Sequence, residues 1–216
     1  ELIVSSGKRL SGLVNDILDF ARIRNMDITL SRKPVDLHSI IHIVMTITMP
    51  AAKKKNITIS NTIAPHTLLI NGDENRLQQI MYNLIGNAIK FTEKGEVKVI
   101  FELQNKQEKK LDLVIHVIDT GIGIPEEFHE IIFEPFRQQY GESARKYGGV
   151  GIGLTLTSRM VKALGGTITV DSTKNKGSHF TIILPDVIIA KEEIMIAGEN
   201  ISIEELAIMS KLFQTN

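Results

Sequence analysis

The chain has no cysteine. That excludes disulfides and thiolate metal sites, and it fits a reducing compartment. Aromatic residues make up only 5%, too few for a base-stacking platform. Lys and Arg number 25 against 25 Asp and Glu, so no net field draws the chain to nucleic acid or anionic lipid. Long apolar runs are also missing. The longest uncharged stretch, residues 37–52, holds His38, His42 and Pro50. It falls short of the roughly 20 apolar residues that a spanning helix needs. Lys8 and Arg9 interrupt the apolar core that a secretory leader would require. No nucleic-acid partner and no direct membrane contact are expected, and the expected location is the cytoplasm.

What remains is a chain of 216 residues, 43% hydrophobic and 23% charged, as expected for a globular domain with a real core. Residues 1–24 read as a helix. Ile3, Leu10, Val14, Ile17 and Ala21 form its apolar stripe, which needs a partner element. A polar connector is expected over 25–34. A second helix is expected over 36–54 with Asp36 as its N-cap. Short strands follow at 57–61 and 67–70. The clearest helix is 73–92, stopped by Lys94-Gly95. Residues 96–104 and 111–119 read as paired strands. A short helix opening on Pro125 is expected over 125–133. Residues 137–149 read as a mobile loop and 152–164 as a helix stopped by Gly165-Gly166. Strands at 167–171 and 178–184 flank a turn at 175–177. After Pro185, a separate tail reads as a strand at 194–197 and a helix at 201–213. The uneven mixture of helices and antiparallel-looking strands points to an α+β fold, a two-layer sandwich with one mixed, mostly antiparallel sheet covered by helices on one face.

Three segments carry candidate chemistry. On the helix 73–92, Asn83, Asn87 and Lys90 are spaced i, i+4, i+7 and fall within about 60° of one another. Two amides and an ammonium on one stripe suit a hard cation and phosphate oxygens, or form a plain solvated face. The second segment is Asp119-Thr120-Gly121-Ile122-Gly123. The strand before it is apolar on both faces, so it is expected at the centre of the sheet. An ionised Asp at its end needs donors, and the exocyclic amine of a base is one. An ordinary Asp-capped turn is the alternative. The third segment, Gly148-Gly149-Val150-Gly151-Ile152-Gly153-Leu154, runs into a helix after Arg145 and Lys146. Glycine N–H groups at a helix start favour anions. The spacing fits neither the dinucleotide fingerprint nor a Walker A loop.

The order of these segments is more specific than any one of them. Asn83-Leu84-Ile85-Gly86-Asn87-Ala88-Ile89-Lys90-Phe91-Thr92, Asp119–Gly123, Phe133-Glu134-Pro135-Phe136, Gly148–Leu154 and Gly177-Ser178-His179-Phe180 resemble, in sequence, the N, G1, F, G2 and G3 boxes of the catalytic ATP-binding domain of sensor histidine kinases. The resemblance covers about residues 34–185. The first segment, with Asn15-Asp16-Ile17-Leu18-Asp19-Phe20, resembles the second helix of that family's dimerisation and phosphoacceptor hairpin. The expected division is hairpin helix and linker over 1–33, catalytic domain over 34–187, and an extension over 188–216. That extension resembles either a linker or the start of a receiver domain.

The resemblance implies ATP and Mg²⁺ as cofactors. Asp119 would accept from the adenine amino group. Asn87 would ligate the metal, with Asn83 and Lys90 near the phosphates. Gly121, Gly123, Gly149, Gly151 and Gly153 would give backbone access beside Val150 and Leu154. Arg145 or Lys146 would reach the γ-phosphate from the lid, and Ser178 would support the base through water. Phe133 and Phe136 are expected as core residues anchoring the lid. The implied partners are the protein's own hairpin, as a homodimer, and a response regulator or attached receiver domain. The whole protein is then a sensor of two-component signalling, cytoplasmic or the cytoplasmic part of a membrane-anchored one.

Related ATPases of the gyrase, chaperone and mismatch-repair types carry Glu where this chain has Asn83. An amide is a poor general base, so transfer is favoured over hydrolysis. Of the six histidines, His38, His42, His66, His116, His129 and His179, only His129 precedes an acid, and the following residues break the acceptor pattern. The acceptor helix is therefore expected before Glu1. Val150 stands where the family usually has Thr, and Ile152 where it usually has Leu. Three readings follow: a histidine kinase core, a nucleotide-binding regulatory module without useful transfer, and a hydrolytic ATPase.

Overall fold

The computed structural model describes residues 29–63, 69–107, 110–137, 151–187, 195–196 and 199–200. The expected hairpin helix, the loop containing Arg145, Lys146, Gly149 and Val150, and the helix at 201–213 lie outside the described residues.

Strand β1 (Lys33–Asp36) pairs antiparallel with β3 (Leu69–Gly72). Asp36 ends β1 and caps helix α1 (Leu37–Lys54): its carboxylate accepts from His38 N at 3.0 Å and from the Ser39 hydroxyl at 2.6 Å. Strand β2 (Ile57–Asn61) follows. Helix α2 (Glu74–Phe91) is capped in the same way by Asp73, whose Oδ1 accepts from Arg76 N at 3.1 Å. At its other end Lys55 Nζ donates to the carbonyls of Ile89 and Lys90 at 2.7 Å and of Thr92 at 3.0 Å. A cation there satisfies orphan carbonyls and complements the helix dipole.

The remaining elements are β4 (Gly95–Gln107), β5 (Lys110–Asp119), α3 (Gly153–Ala163), β6 (Thr167–Thr173) and β7 (Gly177–Val187). The five-stranded sheet has the order β2-β4-β5-β7-β6. β2 lies parallel to β4, and the other neighbours are antiparallel. β5 is the middle strand, as its apolar residues on both faces suggest. One face of the sheet presents Val97, Val99, Leu113, Ile115, Val117, Phe180, Ile182 and Leu184 to Ile41 and Val44 of α1, Leu77, Met81, Leu84 and Ile85 of α2, and Leu156 and Met160 of α3. This is the two-layer α+β sandwich expected. Two further short strands, Met195–Ile196 and Glu199–Asn200, pair with each other. Among the described residues no helix is long and apolar enough to cross a membrane.

The structure corrects four local readings. Residues 33–36 form a strand rather than the end of a connector. The second short strand sits at Leu69–Gly72, beyond the 67–70 expected. Residues 125–133 are not an α-helix but two 3₁₀ turns, Glu126–Phe128 and Ile131–Phe133. The segment is too short to repay α-helix nucleation. Strand β7 does not stop at Pro185: it continues to Val187 through a bulge opposite Leu111 and Leu113. There Asp186 adopts φ 52° and donates its N–H to the buried Asp112 carboxylate at 3.2 Å. A bulge is where a strand tolerates proline.

Candidate functional site

The antiparallel register sets one row across the inner face at one end of the sheet: Val97, Asp119, Ser178 and Ser172 on four successive strands. Asp119 is 6% exposed and therefore needs compensation. Its Oδ1 accepts from Gly121 N at 2.8 Å, and Ser178 adds its backbone N–H and its hydroxyl. Burial still dominates and raises the carboxyl above its ordinary value, while these three donors pull the other way. Behind Ser178 stands Ser172. Its Oγ accepts from Ile124 N at 2.8 Å, donates to Gly177 O at 2.7 Å and lies 3.1 Å from Ser178 Oγ. Sequence reading missed Ser172: it lies in no box and becomes relevant only by register.

The turns that follow β5 and precede β7 interlock. Asn175 N donates to Ile122 O at 2.7 Å, and Ile122 N to Phe91 O at 3.2 Å. Gly123 and Gly177 hold φ of +64° and +98°. A Cβ on Gly123 would run into the Thr173 carbonyl, and one on Gly177 into the Asp119 carbonyl. The space left by these missing side chains is thus filled by backbone. At Gly121 a Cβ would meet Phe91 O at 2.6 Å, Asp119 Oδ1 at 2.8 Å and Thr92 Oγ1 at 2.9 Å. Thr92 Oγ1 is fully buried and, among the described residues, has no hydrogen-bond partner. A buried carboxylate and an orphaned hydroxyl thus meet at the same corner, where a bound polar group would satisfy both.

Helix α2 forms the adjoining wall. Asn83, Asn87 and Lys90 are all half-buried on the face away from Leu84, Ile85 and Ala88. Lys90 Nζ lies 5.0 Å from the Phe91 ring centroid. Asn83 Nδ2 points at Gly153 O and Thr157 Oγ1, both at 3.4 Å, so it meets the first turn of α3. Gly151 has φ +76°, and its carbonyl accepts from Phe136 N at 3.1 Å, which ties the glycine-rich segment to Phe133–Phe136. Leu154 and Phe133 pack against the core. Phe136 does not: it is 57% exposed and its backbone is left-handed at φ 63°. That conformation is costly for a bulky residue. It turns the ring outward while the N–H keeps its bond to Gly151. His129 is half-buried, with Nε2 3.1 Å from Ile124 O.

Residues 72–188 match the family described as "Histidine kinase-, DNA gyrase B-, and HSP90-like ATPase". The autoinducer 2 sensor kinase/phosphatase LuxQ of Vibrio vulnificus is 38% identical over 188 residues, 86% of this chain and 22% of that protein. The signal transduction histidine-protein kinase BarA of Shigella flexneri is 34% identical over 212 residues, 94% of this chain and 23% of that protein. The chain thus spans about a fifth of these relatives. Among solved structures, full-length ShkA in complex with AMPPNP superposes with a TM-score of 0.72 at 33% identity, covering 88% of this chain and 38% of that one. The catalytic domain of the histidine kinase ThkA gives 0.58 at 26% identity, covering 72% of this chain and 96% of that one. The chain belongs to the family of histidine kinase-, DNA gyrase B- and HSP90-like ATPases, on its sensor histidine kinase branch.

Proposed function

We propose that this chain binds ATP with Mg²⁺ and transfers the γ-phosphate to a histidine on a hairpin helix that is not among these residues. The observation that carries the reading is the buried Asp119 carboxylate, held by Gly121 and Ser178, beside the orphaned Thr92 hydroxyl. A charge is kept in that apolar setting for a partner that donates to it, and the adenine amino group does so. The residues present fit the cofactors. Asn87 offers a neutral oxygen to the cation, and Lys90 an ammonium to the phosphates. Gly151 and Gly153 offer the approach to α3, and Arg145 or Lys146 would act from the lid together with Gly149 and Val150. When bound, Mg²⁺ neutralises charge on the phosphates and aids departure of ADP.

Asn83 supports transfer over hydrolysis. It is an amide turned towards Gly153 and Thr157, so neither its chemistry nor its placement suits activation of water. Its role here is to hold α3 against α2. In the full-length protein the partners are the acceptor hairpin of a homodimer and a response regulator or attached receiver domain. The reading is supported by relatives named as sensor kinases and by the AMPPNP complex of ShkA. Titration with ATP and Mg²⁺, followed by measurement of free phosphate, tests it. Binding with slow release is expected, and binding is lost in Asn87→Ala when Mg²⁺ is present. Rapid steady-state release would instead identify a hydrolytic ATPase.

A further inference from the structure

On the sheet face turned away from the helices, the register brings two histidines and a threonine together. His116 on β5 stands opposite Thr181 on β7, and His179 precedes Thr181 by two residues on the same face. His179 Nε2 lies 2.8 Å from His116 Nδ1, and Thr181 Oγ1 lies 3.2 Å from the first histidine's Nδ1 and 3.3 Å from His179 Nε2. The rings are 4.9 Å apart at 54°. We propose that His116 Nδ1, His179 Nε2 and Thr181 Oγ1 form a binding site for a divalent transition-metal ion of the zinc class, on the outer face of the sheet behind the nucleotide pocket.

The three atoms form a triangle close in size to one face of a tetrahedral zinc site. With metal–ligand bonds of about 2.0–2.1 Å, ligand atoms stand roughly 3.3 Å apart. Two sides already have that length, and a small ring rotation opens the third. A metal seated on the triangle keeps one outward position for water. The other nitrogen of His116, Nε2, faces the Glu102 carboxylate at 4.0 Å, a charge contact beyond hydrogen-bond reach.

The charge around the site suits a cation. Facing it are Glu102 and Lys98 on β4 and Asp171 on β6, which stands opposite His179. The Lys98 ammonium is engaged by Glu96 at 2.8 Å. Strands β5 and β7 also present Asp119, three residues beyond His116, and Ser178, next to His179. A metal here would staple them together.

The test is calorimetric titration of Zn²⁺ into the whole, chelator-treated chain. One ion per chain is expected at this site. His116→Ala and His179→Ala each weaken uptake at least tenfold. The double variant His38→Ala/His42→Ala removes the other histidine pair, one helical turn apart on α1 with ring centroids at 6.1 Å, and leaves this uptake unchanged. A second reading avoids variants altogether: Co²⁺ added to the native chain gives the visible absorption of a tetrahedral site, and Zn²⁺ abolishes it. No uptake by the native chain, or uptake that survives loss of both His116 and His179, overturns the proposal.

Discussion

Replacing Asp119 by Asn separates the function of this carboxylate from its cost. The side chain keeps its shape but loses its charge, and it can no longer offer two acceptor oxygens. Its single carbonyl oxygen must serve Gly121 N–H, now at 2.8 Å from Oδ1, the Ser178 donors and the nucleotide amino group in competition. Hydrogen bonds to charged groups contribute about 1.5–3 kcal/mol. At about 1.4 kcal/mol per tenfold, ATP affinity should fall roughly 10- to 100-fold. Stability should move the other way. Burial raises the Asp119 pKa, so the folded state disfavours the carboxylate. The associated stability is fully present below the ordinary value of 3.8 and is lost as pH rises through the raised one. At neutral pH the native charge therefore destabilises the nucleotide-free fold. Asp119→Asn should unfold at the same or a higher temperature than the native chain. Calorimetric titration with ATP and a thermal melt without nucleotide give both numbers. Affinity within about twofold of native, in a folded variant, would refute the site. A lower melting temperature would refute the electrostatic argument.

Three substitutions test the frame that holds the carboxylate. Gly177→Ala drives a Cβ into the Asp119 carbonyl at φ +98°; it should cost about 1–3 kcal/mol in urea unfolding, and more if β5 and β7 separate. Ser172→Ala leaves the part-buried Ile124 N–H without its acceptor; about 1 kcal/mol of stability should be lost, with weaker ATP binding in titration. Lys55→Met removes three bonds to the end of α2 and should lower stability by about 1.5–3 kcal/mol, read by denaturant midpoint, with little change in nucleotide affinity in the folded protein.

The sequence disclosed features whose causes are local. Asp36 and Asp73 mark helix starts because an N-cap is satisfied within three residues. The apolar run before Asp119 marks a central strand because β5 is paired on both edges, with β4 and β7. Asn83, Asn87 and Lys90 share a stripe by helical geometry alone. What stayed hidden depends on pairing between distant segments. Strand β1 is four residues long and includes Pro34, and only its pairing with β3 makes it a strand. Ser172 is one serine in a polar strand until the register sets it beside Ser178. His116 and His179 are 63 residues apart in sequence, and only the order β5-β7 brings their rings into contact. Phe136 looked like a core residue by type, yet a left-handed backbone turned it outward.

The central claim is transfer of phosphate rather than its release to water. Its most direct measurement mixes this chain with radiolabelled ATP, Mg²⁺ and a hairpin from a sensor histidine kinase carrying the acceptor histidine, and follows acid-labile label on the hairpin. Label should accumulate on the acceptor histidine, be much reduced with Asp119→Asn at limiting ATP, and be absent with Asn87→Ala. A chain that binds ATP yet leaves every such hairpin unlabelled would contradict the proposal.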